Sequence, residues 1–198
     1  MEQKILTITS DDGFMGSLTK ALTDIDPNWS SYRGLVMTGT HAPEKINLTW
    51  ALEQIRKARE EKIPTLGICF GLHMAVIEFG RTVLNLPEAN TTELKKDTIT
   101  PIINALPGMR VGIRPVLTSM ENHWHQYKVN INYTHLLGAF FTMFLTRDPD
   151  KEEIVEYMRL EGHPFFVLTQ YHPEYNSTPD KPHPVLVEFV QACKKATI

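Results

Sequence analysis

Gly67-Ile68-Cys69-Phe70-Gly71 has the form Gly-x-nucleophile-x-Gly. A nucleophile at a sharp strand-to-helix turn is held in a strained backbone conformation, and crowding there demands small residues two positions to either side. The next backbone N–H, that of Phe70, then lies at a helix N-terminus, where it can donate to the oxyanion of an acyl-transfer intermediate. The same positive end suits an anionic sulfur. Taken alone, the pentapeptide also fits two turn glycines around an inertly packed cysteine. A nucleophile needs a base.

Gln170-Tyr171-His172-Pro173-Glu174-Tyr175 offers one. His172 and Glu174 are two apart, so on an extended segment both side chains fall on one face, and Pro173 restricts His172 to extended backbone. A carboxylate bonded to one imidazole nitrogen leaves the other facing a thiol, which is the logic of a catalytic triad. The chain holds eight histidines, so the His-Pro-Glu setting after an apolar run singles out His172, not its residue type. His123, His125 and His135 lack the spacing of a metal-ligand set, and no metal is expected. Cys193 has no acid–base neighbourhood in sequence and reads as a packing residue.

These groups need a scaffold. Lys4 to Thr9 reads as a strand, Ser17 to Asp24 as a helix, and Gly34 to Met37 as a buried strand. Asp11-Asp12-Gly13 reads as a loop. Pro43 to Lys62 has helical periodicity, with Ile46, Trp50, Leu52 and Ile55 near one face. Thr65 to Cys69 is a short apolar strand, and a helix opens at Gly71 and runs to about Leu84. Alternating strands and helices predict a mostly parallel α/β sheet with helices on both faces. The second half predicts strands at Met109 to Val116, Gln126 to Asn130, Phe140 to Thr146, Ile154 to Leu160 and Phe165 to Tyr171, then a closing helix from Val185 to Lys194. The C-terminal half thus supplies an antiparallel or mixed portion. Trp50, Phe79 and the Phe140–Phe144 run are expected to pack the core, with part of that run open to use as a partner surface.

The 198 residues, 42% hydrophobic and 22% charged, fit one domain spanning 1–198. A formal charge of −3 leaves no electrostatic footprint for nucleic acid or an anionic membrane surface. Two cysteines are too few for a disulfide scaffold. With no signal-like N-terminus and no long apolar run, a soluble cytoplasmic protein is expected.

Several motifs, in order, resemble the class I (triad) glutamine amidotransferases, most nearly the glutaminase domains of CTP synthases. The resemblance rests on Ile63 to Phe79, Ala89-Asn90-Thr91-Thr92-Glu93, Gly112-Ile113-Arg114-Pro115, His123-x-His125-x-Tyr127-x-Val129-Asn130 and Gln170 to Tyr175. It covers nearly the whole chain from Gly34 onward. It implies a flavodoxin-like three-layer α/β fold and no cofactor. It also implies that Cys69 attacks the side-chain amide of glutamine, that His172 passes the proton to the leaving ammonia, and that Glu174 orients His172. A γ-glutamyl thioester would then be hydrolysed. The oxyanion donors would be the N–H of Phe70 and one from the loop around Gly39. Thr40, His73, Glu93, Trp124 and Tyr171 fall at positions assigned to the substrate, with Glu93 expected to hold the α-amino group.

The chain departs from this pattern in the pocket. The loop that carries two glycines in the family reads Thr38-Gly39-Thr40-His41-Ala42, keeping only Gly39. The glutamine-contacting Gln four residues after the nucleophile is His73, which lacks an amide's donor–acceptor pair. The Arg-rich stretch reads Glu121-Asn122-His123-Trp124-His125-Gln126-Tyr127, without its three arginines, one of which would grip the substrate α-carboxylate. Arg114 or His125 could compensate. Three readings follow: glutamine bound weakly, a γ-glutamyl compound or another amide as substrate, or a non-catalytic or regulatory homologue. About 33 residues precede the matched stretch, so a freestanding domain is expected, with ammonia passing, if anywhere, to a separate synthetase chain.

Overall fold

The computed structural model describes residues 4–10, 12–147 and 152–197. Strands β1 (Ile5–Ile8), β2 (Gly34–Met37) and β3 (Thr65–Ile68) pair in parallel, and β3 pairs in parallel with β9 (Phe166–Thr169). Antiparallel strands β8 (Glu153–Leu160) and β7 (Phe141–Arg147) complete a six-stranded sheet in the order β1-β2-β3-β9-β8-β7. Side chains of the central strands alternate between two buried faces. Leu35, Met37 and Leu168 enter the core shared with helices α2 (Leu48–Glu60) and α3 (Phe70–Thr82), while Val36, Leu66 and Val167 enter the core shared with α1 (Asp12–Ile25) and α5 (Pro184–Ala196). Both faces are covered, which is why these strands read as continuous apolar runs.

A second sheet, β4 (Ala89–Thr91), β5 (Thr100–Val116) and β6 (Ser119–Val129), contacts α3. Every residue of α3 from Phe70 to Gly80 is buried, so this helix is enclosed on all sides. A short helix α4 (Thr134–Leu137) precedes β7.

The structure corrects five local expectations. Helix α1 begins at Asp12, so Asp12 and Gly13 are helical and not loop; Asp11 lies outside the described residues. The Pro43–Lys62 helix is divided: Pro43–Lys45 forms a 3-10 turn, and α2 restarts where the Asn47 side chain accepts from the Trp50 N–H. Trp50 sits outside the core, 41% exposed. Strands β5 and β6 are longer than predicted, because Pro101, Pro107 and a break in register between Ala105 and Arg110 obscure their alternation. Phe141 packs inside, whereas Phe140 and Phe144 remain partly exposed.

Candidate active site

Parallel pairing of β3 with β9 brings the two halves of the site together. Ile68 is in register with Thr169, and the N–H of Cys69 donates to the Thr169 carbonyl at 2.7 Å. Cys69 and His172 therefore leave the carboxyl ends of neighbouring parallel strands, where open α/β sheets hold their ligands.

Cys69 has φ +55 and ψ −106, a left-handed conformation unusual for a residue with a side chain. The turn leaves no room for side chains on either flank: a Cβ at Gly67 would lie 3.0 Å from the Gly71 carbonyl carbon, and one at Gly71 would lie 2.6 Å from the Met37 carbonyl oxygen. Phe70 is the first residue of α3, so its N–H has no acceptor within the helix.

His172 and Glu174 are both buried, and the His172 Nδ1–H donates to Glu174 Oε1 at 2.7 Å. The route differs from the extended one predicted, because Pro173–Asn176 is a 3-10 turn that returns the carboxylate to the imidazole. The His172 N–H donates to the Asn122 carbonyl, and Asn122 Nδ2 donates to Asn176 Oδ1, so β6 braces the same turn. The ring of Phe14 stacks on His172, centroids 4.8 Å apart at 18°, and also stacks on His41. Burial opposes the imidazolium, but the Glu174 carboxylate and the nearby Cys69 thiol outweigh it and push His172 up to about 10. Its Nε2 is buried without a hydrogen-bond partner among the described residues. The Cys69 thiol is directed to the Trp124 carbonyl at 3.7 Å, with Gln170 Nε2 at 3.8 Å.

Cys69 opens onto a cavity of about 180 Å³ whose walls include Thr40, His73, Glu93, Trp124 and His125. Four of the five residues assigned to substrate thus line it. Tyr171 does not: it is buried beside His123 and His183, with ring centroids 6.4 and 6.0 Å away. Gly39 lies between the Cys69 and His172 side chains, where an added Cβ would be 2.8 Å from His172 Cε1 and 3.5 Å from Cys69 Cβ. The Thr40 hydroxyl is already engaged, bonding Ser10 Oγ of the segment after β1 at 2.5 Å and accepting from the Ala42 N–H.

Burial drives His73 down to about 4 and so keeps it neutral; its Nε2–H donates to Gln170 Oε1 at 3.1 Å. Its Nδ1 faces Glu93 Oε2 at 3.9 Å. Burial, then Glu44, raises Glu93 to about 7. His125 is likewise held neutral, driven by burial to about 3, with Nδ1 bonded to the Tyr127 carbonyl. Among the described residues no arginine or lysine lines this cavity. Arg114 lines a different depression with Arg110 and Glu152.

Sequence reasoning missed three neighbours. Gln170 was visible as a polar residue ending an apolar strand. Phe14 and His41 carried no local signal, since their roles come from helix α1 and the Gly39 loop meeting His172. Cys193 is buried against Gly34, and burial pushes its thiol up, in keeping with a packing role. Among the described residues no group of three or more His, Cys, Asp or Glu could hold a metal ion, and no helix is long and apolar enough to cross a membrane.

Sheet order, helices on both faces and functional groups at strand carboxyl ends define a three-layer α/β protein of the flavodoxin-like class. The chain belongs to the class I glutamine amidotransferase family, whose model, Glutamine amidotransferase class-I, matches residues 18–192. It is similar to the CTP synthase of Pyrobaculum aerophilum, 40% identical over an alignment of 170 positions, gaps included, that covers 71% of this chain and 31% of that protein. With the CTP synthase of Thermomicrobium roseum it shares 35% identity over an alignment of 199 positions, gaps included, that covers 89% of this chain and 36% of the relative. The chain therefore spans about a third of the length of these curated relatives. In fold it is similar to the Trypanosoma brucei CTPS glutaminase domain with bound acivicin, at TM-score 0.80 and 20% identity over 96% of this chain and 93% of that one. A putative GMP synthase subunit from Thermoplasma acidophilum superposes at TM-score 0.57 and 18% identity, over 98% and 96% of the two chains.

Proposed function

We propose that this chain, acting as one domain, is an amide hydrolase of the glutaminase type, with Cys69, His172 and Glu174 as a catalytic triad. The observation that carries the reading is the left-handed Cys69 at the end of β3, set beside a buried His172–Glu174 pair at the end of β9. His172 Nε2 takes the thiol proton to give a thiolate–imidazolium pair, and Sγ then attacks the carbonyl carbon. The N–H groups of Phe70 and of the loop at Gly39 stabilise the resulting oxyanion at the positive end of α3. The imidazolium returns its proton to the leaving nitrogen, the C–N bond breaks, and a thioester remains on Cys69. Water activated by His172 then releases the acid and frees the thiol. Glu174 holds Nδ1–H throughout, fixing the tautomer and stabilising the imidazolium.

The substrate is glutamine or a γ-glutamyl compound whose amino group Glu93 receives, with Thr40, His73 and Trp124 walling the pocket. The CTP synthase relatives support delivery of the ammonia to a synthetase partner. The lack of a cationic wall among the described residues favours a second reading, in which the site binds a ligand without turnover.

Incubating the protein with an electrophilic glutamine analogue and with a γ-glutamyl amide panel separates the readings. A mass adduct on Cys69, lost in Cys69→Ala and His172→Ala, supports the enzyme. A folded protein that no reagent labels and that turns over no amide excludes it.

A further inference from the structure

The two reacting side chains face different spaces. Cys69 lines the 180 Å³ cavity that holds Glu93 and His73, whereas His172 lines a second cavity of about 340 Å³. The two share His41 and Trp124 as walls, and these rings meet edge-on at 5.9 Å. In amide cleavage the carbonyl carbon must reach the nucleophile while the departing nitrogen must reach the proton carrier. Cleavage across this pair therefore places the acyl half of the substrate on the Cys69 side and the amine half on the His172 side.

The second cavity is larger than the first and far more apolar. Phe14, Val111, Trp124 and Tyr175 form much of its wall, and Gly112, at φ +92, contributes no side chain. Ammonia would leave this space unfilled and would gain nothing from its aromatic walls. An alkyl or aryl group would bury apolar surface there, with aromatic faces able to stack on it.

The geometry points to an N-substituted amide as the preferred substrate, its apolar or aromatic amine leaving through the Phe14–Val111–Tyr175 cavity. This rests on the triad reading above and names the substrate class of that site. The chemistry balances without a further reactant. Sγ bonds to the acyl carbon, the C–N bond breaks, the proton that His172 took from Cys69 passes to the nitrogen, and a primary amine departs. Water then converts the thioester to a carboxylic acid and restores the thiol.

The test compares kcat/KM for glutamine, γ-glutamyl methylamide, γ-glutamyl butylamide and γ-glutamyl anilide on the full chain. The butylamide and anilide should exceed glutamine by about tenfold or more, since one methylene in an apolar pocket is worth about that much. Val111→Asp, at a position 44% exposed on the hairpin, should reduce the anilide-to-glutamine ratio by about tenfold as it introduces charge to the cavity wall. Glutamine turned over faster than every substituted amide would overturn this proposal and leave the triad reading intact. Failure of all four substrates, with Cys69 unlabelled by the glutamine analogue, would overturn both.

Discussion

Gly39 packs against the edge of His172 so closely that a Cβ at position 39 would lie 2.8 Å from the imidazole Cε1. The contact couples the loop after β2 to His172 after β9. Gly39→Ala should displace the imidazole without opening the core. Displacements of this size cost about a hundredfold in rate. Cys69 alkylation and amide turnover should fall by about that factor, while far-UV circular dichroism stays unchanged.

Glu174→Gln tests the partner of that imidazole. His172 holds its proton up to about 10, against 6.5 for an ordinary histidine, because Glu174 and Cys69 outweigh the opposing effect of burial. The native state thus binds an extra proton between those values. The stabilisation is complete below the unfolded value of 6.5 and is lost as pH rises through about 10. Wild-type urea midpoints should fall between about pH 7 and about pH 10 more steeply than those of the variant. Turnover should drop by about two to four orders of magnitude, as expected when a triad carboxylate becomes an amide.

Glu93 should make substrate binding depend on pH. Burial, then Glu44, raises its carboxyl from 4.5 to about 7. An ammonium group is attracted to the charged form, so KM for an amino-bearing amide should fall as pH rises from about 6 to about 8. Glu93→Gln should flatten that profile. The native state binds the extra proton between 4.5 and about 7, so this acid costs stability as pH rises through that window. Thermal melts of the variant should therefore gain on wild type at about pH 8 compared with about pH 5.

Farther from the reacting atoms, Arg110 and His123 bind the two oxygens of the buried Glu156 at 2.7 and 2.9 Å, tying the β5–β6 hairpin to β8. Burial opposes the charge on Glu156, but His123 and Arg110 hold its carboxyl down at about 2. Arg110→Met removes the guanidinium from that buried carboxylate, leaving His123 and the Thr146 hydroxyl on it, and should cost about 3 kcal/mol in urea denaturation. Adding Glu156→Gln should return part of the loss.

The three residues of the proposed triad were legible because each stands in a short local pattern: glycines spaced around Cys69, and proline between His172 and Glu174. The alternating strands and helices of the first half were equally plain. The hairpin was harder, since Pro101, Pro107 and the register break conceal strands that the fold extends on both sides. The walls of the two cavities were harder still. Phe14 reaches His172 from a helix whose first turn resembles a loop, and the Trp124 carbonyl faces Cys69 through its backbone, which no residue type reveals. Tyr171 shows the reverse error, for its position beside His172 in sequence did not carry its ring to the cavity.

The pairing of β3 with β9 also governs when reactivity arises. The hydrogen bond from Cys69 to Thr169 joins segments about a hundred residues apart. Closing so long a loop is entropically costly, and such contacts form late. During synthesis the thiol therefore stays without its base until the segment holding His172 and Glu174 has emerged and docked. In a nascent or truncated chain Cys69 stands apart from His172 and Glu174, and the proposed triad is assembled only once the sheet is complete.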